Sequence, residues 1–149
     1  MSVASPISKV HYFIKPDMNL FLCRAEGEVT FDDLALHVDE ILADPQYRAG
    51  MDGFYDFTQV SSITGQTDVW GKVAEDMSDE RIIPDRSKTA FLVSDENELV
   101  KRVLEGYLMM TSASLVEYRL YGPSQIAELC TFIGSHTREA IVDFLSADF

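Results

Sequence analysis

The chain has 149 residues, 12 of them basic and 25 acidic, for a net charge of −13. That length suits one domain, spanning 1–149, that buries roughly two-thirds of its unfolded surface. The acidity argues against a nucleic-acid partner, which needs clustered Lys and Arg, and against a polybasic contact with anionic lipid.

Residues 1–8 read as a loose lead-in, and MSVASPISKV lacks the basic start and long apolar core of a secretory leader. No apolar run approaches the ~20 residues of a membrane span. A cytoplasmic protein without membrane insertion is therefore expected. Val10 to Lys15 alternates, with Val10, Tyr12 and Ile14 on one face, which predicts a strand. Pro16-Asp17-Met18-Asn19 is turn chemistry. Leu20 to Val29 is a longer strand, with Gly27 marking a bulge or bend. The first two strands should form an antiparallel hairpin. Thr30 opens a helix with Asp33 at capping-box spacing. Phe31, Leu34, Val38, Ile41 and Leu42 take its apolar face, and Pro45 and Gly50 mark its exit.

The centre of the chain is GFYDFTQVSSITGQT, Gly53 to Thr67. It reads as a buried strand, Phe54 to Phe57, then a polar loop free of charge, then a second helix from about Thr67 to Asp79. Trp70, Val73, Ala74 and Met77 form that helix's stripe. Beyond the carboxyl end of a strand and at the positive end of a helix is where an α/β protein commonly places its working surface. Lys88 to Ser94 is a short apolar strand of the buried parallel kind.

Ser94 or Asp95 is expected to cap a third helix that runs to about Ser112 and is apolar on two sides. Leu99, Val103, Tyr107 and Met110 fit one stripe; Val100, Leu104 and Leu108 fit another. Val116 to Tyr121 alternates as a strand. Gly122-Pro123 starts a fourth helix carrying Ile126, Leu129, Cys130 and Ile133, which Gly134 ends. A last amphipathic segment covers about Thr137 to Leu145. The order β-β-α-β-α-β-α-β-α-α predicts an α/β protein with a mixed sheet, an opening antiparallel hairpin and four or five covering helices.

This order resembles the STAS superfamily of sulphate-transporter and anti-sigma-antagonist domains, in its SpoIIAA-like branch, whose small bacterial members carry the fold alone. The resemblance is carried by NLFLCRAEGEVTFDD from Asn19, by DFTQVSSITGQ from Asp56, and by the closing run Glu117 to Ile133. It implies a regulatory, protein-binding role. In anti-sigma antagonists the central loop ends in Asp-Ser-Ser-Gly, and a Ser there accepts phosphate. Those four positions fall on Thr64, Gly65, Gln66 and Thr67. The acceptor position is Gln66, and a one-residue shift makes Thr67 the acceptor; Thr64 and Thr67 are thus the candidate phosphoacceptors. The related CRAL-TRIO lipid-binding fold shares part of the pattern.

From the residues themselves, Asp56, Thr58, Ser61, Ser62, Thr64 and Thr67 form the candidate binding loop and helix N-terminus. A phosphate would meet free backbone N–H groups there, while the same hydroxyls equally serve as caps and turn formers. Asp56 is expected to hold the loop by accepting backbone N–H bonds. Asp33, His37 and Glu40 have a spacing that can align metal ligands, but read as a solvated face. Cys23 and Cys130 read as buried free thiols, with neither a neighbouring His nor a CxxC pattern for thiol catalysis. No nucleophile–base pair, metal set or cofactor motif is visible, so the expected protein is non-enzymatic, without metal or cofactor. Leu104, Leu108 and Met109 are the candidate dimer or ligand surface, unless the C-terminal helix covers them. The first functional expectation is a module that binds an unidentified protein or a second copy of itself. The alternative is a carrier for a small apolar ligand or lipid, with a pocket of several hundred Å³ between sheet and helices lined by Trp70, Tyr107 and their neighbours.

Overall fold

The computed structural model describes residues 9–147; the lead-in expected over residues 1–8 lies outside them. Five strands are β1 (Val10–Lys15), β2 (Leu20–Thr30), β3 (Asp52–Thr64), β4 (Ser87–Leu92) and β5 (Val116–Tyr121). Five helices are α1 (Phe31–Ala43), α2 (Thr67–Met77), α3 (Glu98–Met110), α4 (Ile126–Ile133) and α5 (Arg138–Ser146). The expected α/β class and order are what the chain adopts. The strands lie side by side in chain order, with β1 antiparallel to β2 and all other neighbours parallel.

That order decides where the helices go. Parallel crossovers have one preferred hand, and the sheet grows in a single direction from β2 to β5. The three crossover helices therefore fall on one face, where Leu34, Trp70, Val73 and Leu104 pack on Cys23, Phe57 and Phe91. The strand order never doubles back, so the described residues form no switch-point crevice of the doubly wound kind. Helices α4 and α5 follow the last strand and cover the opposite face, where Leu129, Ile141 and Phe144 meet Leu20, Leu22 and Phe54. The C-terminal helix accordingly does not lie over α3, against one of the expectations above.

The period of two along β2 and β3 sorts residues between these faces. Phe21 and Cys23 face α1–α3, as do Tyr55 and Phe57, while Leu22 with Phe54 faces α4–α5. Phe21 lies beside Gly53 in the parallel ladder. A Cβ on Gly53 would come within 2.1 Å of the Phe21 ring, so the absent side chain is what lets that ring lie flat over the strand.

Local chemistry sets the boundaries. Thr30 caps α1 in a full capping box: the Asp33 N–H donates to Thr30 Oγ1 at 3.0 Å, and the Thr30 N–H donates to the Asp33 carboxylate at 2.9 Å. Helix α3 starts later than expected. Its cap is Asn97, whose side-chain oxygen accepts from the Val100 N–H, and not Ser94 or Asp95.

The largest departure is in β3. The segment read as a loop after Phe57 continues as strand to Thr64, paired with β2 as far as Thr30. Against β2 it carries one extra residue near Phe57–Thr58 and another at Ser61. Such bulges break the alternation by which a strand is recognised, and they add twist. Gly27, opposite the second bulge, has φ +73, a backbone conformation that favours glycine.

Candidate functional site

Between the sheet and α1–α3 lies a cavity walled mainly by aromatic and aliphatic side chains, among them His37, Tyr55, Trp70, Phe91, Tyr107 and Tyr118; among the described residues no Lys, Arg, Asp or Glu lines it. The centre of a water-sized sphere can sweep about 60 Å³ of this space. At ~10–15 Å³ per water, that is room for a few waters or one compact ligand. The place is the one expected for a carrier pocket, but its size is well short of several hundred Å³. The rings around it crowd the space: Trp70 stacks on Phe31 at 5.5 Å and lies tilted against Tyr107 at 4.5 Å, and Tyr107 meets Phe91 at 5.9 Å. A single ring suits such a space; an acyl chain does not.

Three polar side chains meet beside it, and two of them, His37 and Tyr55, line it. Cys23 from β2, His37 from α1 and Tyr55 from β3 are remote in sequence, and the parallel β2–β3 register places Cys23 beside Tyr55. His37 Nε2 lies 2.8 Å from the Tyr55 hydroxyl and 3.6 Å from Cys23 Sγ. The solvated face expected for Asp33, His37 and Glu40 is thus corrected. His37 stands three residues after Leu34 and four before Ile41, on the buried stripe. Asp33 is engaged in the cap, and Glu40 is exposed. Burial lowers the His37 pKa to about 4 and raises the Cys23 thiol and Tyr55 phenol well above their ordinary values. Near neutral pH all three are uncharged, a state suited to holding a neutral partner rather than to thiolate attack.

Two ring nitrogens in this wall, His37 Nδ1 and Trp70 Nε1, are buried without a hydrogen-bond partner among the described residues. Buried polar atoms are nearly always paired, so two in one cavity call for an explanation.

Asp56 lies on the opposite face of the sheet. It accepts the Thr58 N–H at 2.9 Å and the Thr58 hydroxyl at 2.6 Å, which is the backbone-holding role expected of it. It also meets Arg24 of β2, with Nε 3.3 Å from Oδ2 and both groups buried. Arg24 donates onward to the carbonyls of Phe144, Leu145 and Ala147 at the end of α5. No hint of this came from Asp56 alone. The signal was Arg24 itself, a cation inside the apolar run Leu20 to Ala25.

The hydroxyl residues expected to form a loop are distributed along the bulged half of β3. Thr58 and Ser62 are half-buried, and Ser61 and Thr64 are exposed; Thr67 is the exposed first residue of α2. Gln66, not Thr64 or Thr67, occupies the capping position of α2, and it makes no side-chain cap bond. The expected apolar surface of α3 is also corrected. Val100, Leu104 and Tyr107 form the buried stripe, so Leu104 is core and Leu108 half-buried, while Met109 is exposed beside Met110. Leu99 is the other exposed apolar residue of the helix.

Cys23 and Cys130 are buried free thiols. Among the described residues, no group of three or more His, Cys, Asp or Glu is placed to hold a metal ion, and no helix is long and apolar enough to cross a membrane. Comparison with family models, with curated proteins and with solved structures found no match for this chain.

Proposed function

We propose that this chain is a non-enzymatic, STAS-like binding module that takes a compact, mainly apolar ligand into the cavity between the sheet and α1–α3. The carrying observation is the pair of buried ring nitrogens, His37 Nδ1 and Trp70 Nε1, without partners among the described residues, in a wall that is mainly aromatic and aliphatic. A core built for packing alone gains nothing from leaving them unpaired, whereas a ligand that bonds to them gains both affinity and orientation. The opening hairpin followed by strands in chain order supports the STAS resemblance.

Trp70 is the only tryptophan in the chain, so its emission reports on the cavity directly. Titration with small ring compounds should shift that emission saturably and raise the melting temperature. Unchanged emission and melting across such a panel would overturn the reading.

A second reading, a cytoplasmic regulatory module that binds a protein or a second copy of itself, is supported by exposed Leu99, Met109 and Met110 on α3 and by exposed Ser61, Thr64 and Thr67. Its tests are the molar mass in solution, with Met109→Glu expected to dissociate a dimer, and labelling of Thr64 or Thr67 by a partner kinase. A monomer that is never labelled would remove the dimer and phospho-switch forms of this reading.

A further inference from the structure

Resting on the reading of the cavity as a binding site, we infer that its ligand is an uncharged, ring-sized carbonyl compound, a hydrogen-bond acceptor that needs no donor of its own, held through Trp70 Nε1 and His37 Nδ1. An indole nitrogen only donates. The histidine requires an argument from its surroundings. Its Nε2 faces the Tyr55 hydroxyl at 2.8 Å and the Cys23 thiol at 3.6 Å. Nε2 has room for one hydrogen bond, and the shorter contact, to the Tyr55 hydroxyl, is the one that takes it. We assign the Tyr55 O–H as the donor to Nε2, and a neutral imidazole then carries its hydrogen on Nδ1. With that tautomer both unpartnered nitrogens are N–H donors.

The rest of the wall narrows the class further. The Tyr107 hydroxyl donates to that of Tyr118 at 2.9 Å, which engages the Tyr107 proton and leaves the Tyr118 hydroxyl able to donate. The hydroxyls of Ser87 and Thr89 suit either role. Among the described residues that line it there is no cationic side chain to pair with a carboxylate and no carboxylate to pair with an amine, so a charged ligand would lose its hydration without compensation. The space limits the ligand to about one ring. Cyclic ketones, quinone-like rings and small lactones meet all three conditions.

The test titrates the full chain with cyclohexanone, with its isosteric hydrocarbon methylenecyclohexane and with benzoate, read by Trp70 emission and by calorimetry. Cyclohexanone should bind about tenfold tighter than methylenecyclohexane, the usual scale of one buried hydrogen bond, and benzoate should not bind. Equal affinities for ketone and hydrocarbon would overturn the acceptor requirement while leaving the cavity as the site. Binding of none of the rings would overturn both. In Trp70→Phe, followed by calorimetry, the ketone preference should shrink while hydrocarbon affinity holds. A long-range proton–nitrogen NMR spectrum of the unmodified protein reads the tautomer independently of any variant: a His37 proton on Nδ1 is expected, and one on Nε2 would overturn the assignment.

Discussion

Arg24 and Asp56 face one another across the β2–β3 ladder, Nε to Oδ2 at 3.3 Å, both on the side of the sheet covered by α4 and α5. Further guanidinium N–H groups donate to the carbonyls of Phe144, Leu145 and Ala147, and its carbon lies 5.3 Å from the Phe144 ring centroid. One planar cation thus neutralises a buried carboxylate and satisfies the end of α5, whose last carbonyls have no partner within the helix.

Removing that cation should be among the most damaging single changes. Arg24→Met leaves Asp56 buried with Thr58 alone and should cost about 3–5 kcal/mol, read as a lower urea midpoint. Arg24→Lys should rescue little, because one ammonium cannot reach the carboxylate and three carbonyls together. Adding Asp56→Leu to Arg24→Met should recover much of the loss. Faster amide exchange confined to the last turn of α5 in Arg24→Lys would show that the same residue holds the helix end.

Phe21 and Gly53 give a prediction of opposite kind, crowding instead of loss. A methyl group on Gly53 would collide with the Phe21 ring at 2.1 Å, and the ring is itself held edge-on to Tyr55 at 5.9 Å. Gly53→Ala should destabilise by about 1–3 kcal/mol through overpacking. Shrinking the neighbour relieves the clash, so Gly53→Ala combined with Phe21→Leu should lose less than the two single changes added together. Strict additivity in denaturant melts would mean that the ring moves aside freely.

Much of this architecture is legible in the sequence, and its gaps have physical causes. The Val10–Lys15 and Val116–Tyr121 strands show in alternation, and the Thr30–Asp33 cap shows in spacing. Both signals are local. The second half of β3 is hidden because extra residues near Thr58 and at Ser61 break the alternation, and a hydroxyl-rich stretch without a period resembles a loop. His37 could have been found by its distance from Leu34 and Ile41, but its neighbours Asp33 and Glu40 draw attention to the wet side of the helix. The meeting of Cys23, His37 and Tyr55 is set by sheet register and helix packing, which no short window contains.

Asn97 links the candidate surfaces and can be dissected by substitution. Its side-chain oxygen caps α3 by accepting from the Val100 N–H at 3.1 Å, while its amide nitrogen donates to the carbonyls of Val60 and Ser61 at 3.3 and 3.0 Å. Asn97→Ala loses both functions and should cost about 1–2 kcal/mol. Asn97→Asp keeps the cap but not the donor. It should therefore retain most of the stability while amide exchange around Ser61 quickens, because the bulged ribbon of β3 loses its tether. Equal stability losses in both variants would assign the whole effect to the tether.

His37 should make stability depend on pH in a defined window. Burial lowers its pKa from the ordinary 6.5 to about 4. Between those values the unfolded chain holds a proton that the folded chain does not, so protons favour unfolding. The sign follows: the neutral-histidine contribution is complete above pH 6.5, falls as pH drops from 6.5 towards 4, and changes little below that. The drop is worth roughly 3 kcal/mol for a shift of this size. Carboxylates titrate near the lower end of the same window, so the comparison is with His37→Gln, which keeps a polar group facing Tyr55 but does not ionise there. Urea midpoints of the two proteins should run in parallel above pH 6.5 and converge by pH 4 as the unsubstituted chain loses its advantage. A constant gap from pH 7 to pH 4 would mean that His37 does not titrate differently on folding and is solvated in the native protein.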